Sequence, residues 1–144
     1  MNKEYQDLEA YLKIVYQNFS TMHHNMTGCE FFTIHPLMGE FYDKIAEIND
    51  SLIERGMVDG IAEPSIKDAV LAFGGELVPV APIDCWDALV KARDEFNAVL
   101  MKMDSLRASV APDIQSQIDA WEYEIKIYLY KIGQYLTKDD EDDE

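Results

Sequence analysis

Three histidines and a row of carboxylates are the residues whose types and spacing could do chemistry in this sequence. His23, His24 and His35 fall within 13 positions of one another. Imidazole combined with carboxylate suits iron or zinc better than calcium, which prefers oxygen ligands alone. The row of carboxylates would also make an ordinary solvated helix face, so metal binding and a purely structural role both stay open at this point. The acids recur at alternating steps of three and four residues, which puts them on one side of a helix: Glu40, Asp43, Glu47, Asp50 and Glu54.

The distance between the histidines and the last carboxylates decides where a shared metal could bind. On one helix, the 15 residues from His35 to Asp50 span about 22 Å. Ligands of one ion lie about 2.0–2.2 Å from it, so these two side chains of one chain cannot share an ion. Two copies of the helix that meet antiparallel across a two-fold axis would bring His23 and His35 of one copy to Asp50 and Glu54 of the other. The sequence therefore predicts that a metal site here lies between subunits.

The elements that must position these residues are long amphipathic helices. Apolar residues recur at steps of three and four in four segments. A cap at Gly56 is predicted to end the second helix, Asp84 to cap the third, and Pro112 to open the fourth. The chain is therefore predicted to be all-α, a four-helix bundle. The first three helices are expected at about Lys3–Met26, Phe32–Arg55 and Cys85–Arg107, and the fourth from Pro112 onward.

The connections between the helices favour one topology. The short link between the first two helices makes them antiparallel neighbours. About 28 residues separate the second helix from the third, which is long for a compact domain. Such a crossover lets the third helix start at the same end as the second, which is the ferritin-like connectivity. The crossover has a short helical pattern of its own, from Ser65 to Phe73.

Charge and composition exclude several classes of protein. The 28 acidic and 12 basic residues give a net charge of −16, which repels nucleic acid and anionic membranes. No apolar run approaches the length of a membrane span, and the N-terminus does not resemble a signal peptide. Cys29 and Cys85 form no CxxC pair and are expected to be reduced thiols in a cytoplasmic protein. The acidic residues 139–144 are predicted to form a disordered tail after a single domain at 1–138.

The segment between the first and last histidine resembles the His-Trp-Asn-x-x-Gly-x-x-Phe-x-x-x-His signature of Dps proteins, the mini-ferritins. His23, Asn25, Gly28, Phe31 and His35 stand in register with it. The family's second motif, an aspartate and a glutamate four residues later, is matched by Asp50 and Glu54. The resemblance spans about residues 5–136, and its specific motifs lie within 23–54.

The resemblance implies a peroxide-dependent ferroxidase that oxidises Fe(II) and stores ferric iron in a hollow homododecamer. It implies that His23 and His35 are nitrogen ligands from one subunit. Asp50 and Glu54 would be oxygen ligands from its two-fold mate, with Glu54 as the bridging group. In related shells, acids at the start of the fourth helix line an iron-entry pore, and the matching residues are Asp113 and Asp119. Ordinary first-turn acids favoured by the helix dipole are the alternative for these two.

The sequence departs from the family pattern at three places. The family has an aspartate four residues after the second histidine, where this chain has Gly39, and Asp43 or Glu40 would have to replace it. His24 stands where the family has tryptophan and is either an extra ligand or an exposed residue at a helix end. The Lys/Arg-rich terminus of DNA-binding members is absent, so we expect no direct binding to DNA. An alternative function is a shell-forming or adaptor protein that binds metal weakly and has lost efficient oxidation through Gly39.

Overall fold

The computed structural model describes residues 2–28 and 30–142, with side chains as far as residue 137. Four long helices form a bundle, which confirms the predicted all-α architecture and the short helix in the crossover. Within the described ranges, no helix combines the length and apolar character that a membrane span needs. In chain order the elements are α1 (Asn2–Asn25), β1 (Met26–Thr27), α2 (Phe31–Val58), α3 (Ile66–Leu71), β2 (Ile83–Asp84), α4 (Cys85–Arg107) and α5 (Pro112–Asp142).

The core of the bundle is centred on four aromatic rings, one from each long helix. Phe19, Phe41, Phe96 and Tyr128 come from α1, α2, α4 and α5, and their neighbouring ring centroids lie 5.0–6.0 Å apart. Leucine, isoleucine, valine and methionine side chains of the same apolar stripes surround them and are almost fully buried. Burial of these stripes is the main force that holds the four helices side by side.

Local signals in the sequence set several helix ends. The Asp84 side chain accepts a hydrogen bond from the backbone N–H of Trp86 and caps α4 as predicted. Ser65 and Asp68 form a reciprocal capping box at the start of α3. Pro112 is the first residue of α5, a position where its missing N–H costs nothing.

The predicted end of the second helix at Gly56 is wrong. α2 continues through this residue to Val58, and Gly56 is buried inside the helix. A β-carbon at this position would stand 2.8 Å from Cε1 of Tyr5. Gly56 therefore allows the Tyr5 ring of α1 to pack directly on the backbone of α2, and the glycine has a packing role rather than a capping one.

A two-residue parallel β-pair, which the helical periodicity did not indicate, fixes the turn between α1 and α2. Met26 pairs with Ile83 and Thr27 with Asp84, so the turn is bonded to the residues just before α4. Gly28 follows with φ 121°, a backbone conformation that residues with a β-carbon rarely adopt. This bonding anchors the hairpin that carries the histidines.

Two sequence predictions reach residues that the structure does not describe. Cys29, Asp143 and Glu144 lie outside the described residues. α5 extends as far as Asp142, across the boundary at residue 139 where the acidic tail is predicted to begin. The division into a domain and a tail therefore stays a prediction.

Candidate metal centre

The antiparallel hairpin of α1 and α2 brings His23 and His35 into direct contact. Their rings are stacked, with centroids 3.7 Å apart and planes 16° from parallel. Each ring nitrogen Nδ1 is hydrogen-bonded to the backbone carbonyl of the other histidine, at 2.6 Å for His23 and 2.8 Å for His35. Phe31 stacks on the far face of His35 with centroids 4.6 Å apart. The two imidazoles are thus held by four contacts that do not depend on a bound ion.

The hydrogen bonds of this pair determine which nitrogen of each ring can bind a metal. A backbone carbonyl only accepts hydrogen bonds, so Nδ1 carries the proton in both rings. In the neutral imidazole, Nε2 then keeps its lone pair. Metal-binding histidines in proteins usually have this arrangement, with the second ring nitrogen donating to a carbonyl or carboxylate. The geometry therefore leaves Nε2 of both His23 and His35 available as ligands.

The surroundings also keep His23 uncharged. Burial lowers the pKa of His23 most, and the charges of His35 and His24 lower it further. The bond to the His35 carbonyl and the carboxylate of Asp43 act in the opposite direction. The pKa lies below its usual value, so the ring is neutral at pH 7 and needs to lose no proton before it binds a cation.

The three additional ligand candidates, Asp43, Glu40 and His24, lie at different places relative to the histidine pair. Asp43 lies on the same side of α2 as His35, and its carboxylate acts electrostatically on His23. Glu40 instead accepts a hydrogen bond from the Tyr128 hydroxyl at 3.4 Å, on the side of α2 that faces α5. The exposed ring of His24 meets His23 edge-on, with centroids 5.3 Å apart. Of the two proposed substitutes for the family's aspartate, Asp43 is the one near the histidine pair.

Asp50 and Glu54 are exposed on α2, far along the helix from the histidines. At 1.5 Å per residue, they lie about 22 and 28 Å from His35 along the axis. In the part of the chain that the structure describes, no three His, Cys, Asp or Glu side chains are grouped to hold an ion. A site made from both sets of residues would therefore need two copies of the chain.

Asp113 and Asp119 each pair with an arginine of the same chain. Nε of Arg55 donates to Asp113 at 2.7 Å, and this bond is the largest cause of the lowered pKa of Asp113. Nε of Arg107 donates to Asp119 at 3.0 Å. Both acids therefore have a charged partner within the chain, and their assignment to a pore stays a prediction.

Tyr42 is a neighbour of the site that the sequence interpretation missed. Its ring meets His23 edge-on at 5.3 Å and Tyr16 of α1 edge-on at 5.6 Å. Tyr42 follows His35 by seven residues, which places both on the same face of α2. That helical spacing is the signal that could have identified it.

Comparisons with known proteins show a shared fold without close sequence relatives. No protein-family model matches the chain, and no curated protein matches it. Among solved structures, Helicobacter cinaedi CAIP superposes with a TM-score of 0.85 at 16% identity, covering 94% of this chain and 98% of that one. Dps from Staphylococcus aureus gives 0.76 at 15% identity, and Dps from Listeria monocytogenes gives 0.72 at 21%. Both cover 94% of this chain and 93% of theirs.

At sequence identities of 15–21%, the structural similarity establishes the fold of the chain and nothing finer. The resemblance to Dps proteins that the motifs of residues 23–54 indicated is confirmed at that level. The chain has the ferritin-like four-helix fold of the Dps structures.

Proposed function

We propose that this protein is a Dps-like mini-ferritin that oxidises Fe(II) with hydrogen peroxide at sites shared between subunits. Ferric iron would be stored inside a hollow homododecamer in the cytoplasm. The observation that supports this most is the His23–His35 pair. Its Nδ1 atoms are both hydrogen-bonded to backbone carbonyls, which leaves the Nε2 atoms of both rings available as ligands.

The stacking of the two rings favours two adjacent iron positions. A ligating imidazole directs its lone pair within the ring plane. Because the planes are nearly parallel and 3.7 Å separates the centroids, one ion about 2.0–2.2 Å from both nitrogens could not lie in both planes. Each ring would therefore hold its own iron, and two neighbouring Fe(II) ions would supply the two electrons that peroxide requires.

The carboxylates come from the second copy in this account. Asp50 and Glu54 would approach the histidine pair across a two-fold axis, with Glu54 bridging the two iron positions. Carboxylate oxygens favour ferric over ferrous iron because of the greater charge. In the reaction, two Fe(II) each give one electron to H₂O₂, which takes up two protons and leaves as two molecules of water. Asp43 would supply the carboxylate that the family carries at the position of Gly39.

The charge of the chain fits a cation store and opposes binding to DNA. A net charge of −16 for each subunit attracts ferrous ions and repels phosphates. Lys3 is a single basic residue near the N-terminus, and the last six residues are all acidic. We therefore propose that the protein does not bind DNA directly.

The alternative function is a shell or adaptor that binds metal weakly and oxidises iron poorly. The contact between His23 and Gly39 favours it, because the ring stands where the family's aspartate would begin. Under this alternative, the particle would assemble while the second iron position stays weak.

One experiment distinguishes the ferroxidase from the shell or adaptor protein. Protein sized by light scattering is loaded anaerobically with stoichiometric Fe(II) and mixed with peroxide, and the near-ultraviolet absorbance of ferric iron is followed. We expect oxidation well above the protein-free rate, and loss of that activity in His35→Ala without loss of assembly. An assembled particle that oxidises iron only at the background rate would support the alternative.

A further inference from the structure

Large apolar side chains are exposed at the two ends of α2. Phe32, at its start, has 89% of its surface exposed, and Met57 and Val58, at its end, have 58% and 77% exposed. Single exposed apolar residues are common, but a phenyl ring as exposed as that of Phe32 suits a contact with another molecule. The exposed ends of α2 therefore need an explanation that the isolated chain does not give.

Phe32 and Met57 lie on the same face of α2 as the metal-binding candidates. At 100° per residue, both point within about 60° of the direction of His35. They are 25 residues apart, or about 37 Å along the axis, so they cannot touch within one chain. Ala46 lies exposed on this face between them, and its small side chain would let a second helix approach closely.

The position of a two-fold axis links the apolar ends to the metal site. If His35 of one copy meets Glu54 of another in antiparallel helices, the axis passes between residues 44 and 45 of α2. Phe32 and Met57 are centred on the same point. One axis therefore brings the histidines to the carboxylates and, one turn further out, the exposed phenylalanine to the exposed methionine.

The groove beside Asp50 extends the same surface. It is a cleft of about 380 Å³ between α1, α2 and the start of α3, and its lining includes Tyr16, Asn49, Ile53 and Ile66. The side-chain oxygen of Asn49 is buried there and has no hydrogen-bond partner among the described residues. The cleft adds an apolar wall next to the Met57 end of α2, with Ile66 45% exposed.

We infer that Phe32 of one copy docks on Met57 of a second copy, with two such contacts at the ends of an antiparallel α2–α2 interface. This inference rests on the pairing of subunits in the proposed function and names the residues that fix its register. The partner is a second copy of this chain. The contact completes the metal site, because it holds the carboxylate end of one α2 against the histidine end of the other.

Engineered cysteines test the contact directly. Phe32→Cys combined with Met57→Cys should form a disulfide between copies under mild oxidation, since the two positions are too far apart within one helix. The matched control is Phe32→Cys with Ser51→Cys, because Ser51 is exposed but points about 100° or more away from this face. Mass spectrometry of the non-reduced peptides should find the 32–57 link and no 32–51 link. Absence of the 32–57 link in assembled protein would overturn the inference.

Opposite charges give a second test without new thiols. Phe32→Asp and Met57→Lys should each shift native mass spectra toward smaller species, and the double variant should recover the assembly. Phe32 is so exposed that its replacement leaves the fold intact, which circular dichroism can check. An unchanged assembly in Phe32→Asp would contradict the inference.

Iron chemistry distinguishes failure of the contact from failure of the function. A 32–57 link in protein that does not oxidise iron would leave the docking contact established and refute the proposed function. Rapid iron oxidation in protein that never forms the link would refute the contact alone.

Discussion

The imidazole of His23 lies against the backbone of Gly39. A β-carbon at position 39 would stand 3.1 Å from Cε1 of the ring, closer than such contacts normally come. The Dps resemblance predicts an aspartate at this position. The chain therefore has an imidazole packed over a glycine where the family pattern has a carboxylate, and under the proposed function this contact would limit how well a second iron binds.

Gly39→Asp should strengthen the second iron position. The His23 ring must move by a few tenths of an ångström, and the new carboxylate then joins the histidine pair on the same face of α2. We expect iron affinity at that position to rise on the order of tenfold, with faster peroxide-driven oxidation. Anaerobic Fe(II) titration by calorimetry, followed by stopped-flow absorbance, measures both quantities.

Gly39→Ala is the matched control, because it adds the β-carbon without the carboxylate. It should displace the ring equally and bring no gain in affinity. An equal gain in both variants would show that ring movement, and not the carboxylate, is responsible.

Gly56→Ala should destabilise the bundle, because its β-carbon would stand 2.8 Å from Cε1 of Tyr5. The Tyr5 hydroxyl also donates a hydrogen bond to the Leu52 carbonyl at 2.5 Å, so the ring cannot move freely. Overpacking of this kind costs about 1–3 kcal/mol.

Gly133→Ala is the control: on α5, its β-carbon would meet no described atom within 4 Å, and it should stabilise the chain by about 0.5–1 kcal/mol. Urea unfolding of both variants gives the comparison, and equal effects would contradict the packing argument.

Glu9 should make the protein less stable as the pH rises toward neutrality. Its side chain is fully buried, and neither carboxylate oxygen has a hydrogen-bond partner among the described residues. Burial, the largest cause, and the charge of Glu63 together raise the pKa of Glu9 to about 7 against the opposing effect of Lys13. Between the ordinary pKa of 4.5 and about 7, the folded state holds a proton that the unfolded state has lost. The free energy of unfolding therefore falls as the pH rises through this window, by up to about 3 kcal/mol.

Glu9→Gln removes that titration and isolates its effect. Denaturation midpoints of the two proteins should diverge as the pH is raised from 5 to 8, with the variant becoming the more stable. The difference between the proteins is the informative quantity, since other carboxylates titrate equally in both. Parallel pH profiles would contradict the assignment to Glu9.

Plasmid DNA should migrate unretarded with this protein at moderate salt in the absence of divalent metal. The net charge of −16 makes electrostatic association with phosphates unfavourable. A gel-shift assay tests this, with a variant carrying an added Lys-rich N-terminal segment as the positive control. Retardation by the unmodified protein would contradict the prediction.

Periodicity was enough to predict the four helices, and spacing led to the proposal that the candidate site lies between subunits. The apolar stripes gave four helices because each must bury one face, and the distance from His35 to Asp50 followed from the helical rise alone. Gly56 was interpreted wrongly because its role depends on Tyr5 of another helix, which sequence spacing does not reveal. The contact of His23 with Gly39 and the pairing of Thr27 with Asp84 likewise arise only when separate segments pack together.

The burial of Glu9 could not be predicted from the sequence for a related reason. A single glutamate close to Lys13 on α1 is typical of a solvated helix face. The segment that carries Glu63 packs near it: Glu63 pairs with Lys13 at 2.7 Å and raises the pKa of Glu9, and spacing along α1 does not reveal this approach. Asp50 and Glu54, in contrast, are exposed in the single chain. The proposed function gives them a role only when a second copy of the chain is considered.

Complementation between two inactive variants is the most direct test of a site shared between subunits. His35→Ala and Glu54→Ala are each expected to oxidise iron at the background rate. In a mixed pair, the intact histidines of the Glu54→Ala chain would meet the intact carboxylates of the His35→Ala chain and restore one of the two sites. Random co-assembly of differently tagged chains should then recover about a quarter of the unmodified activity. Background activity in particles shown to contain both chains would contradict the shared site.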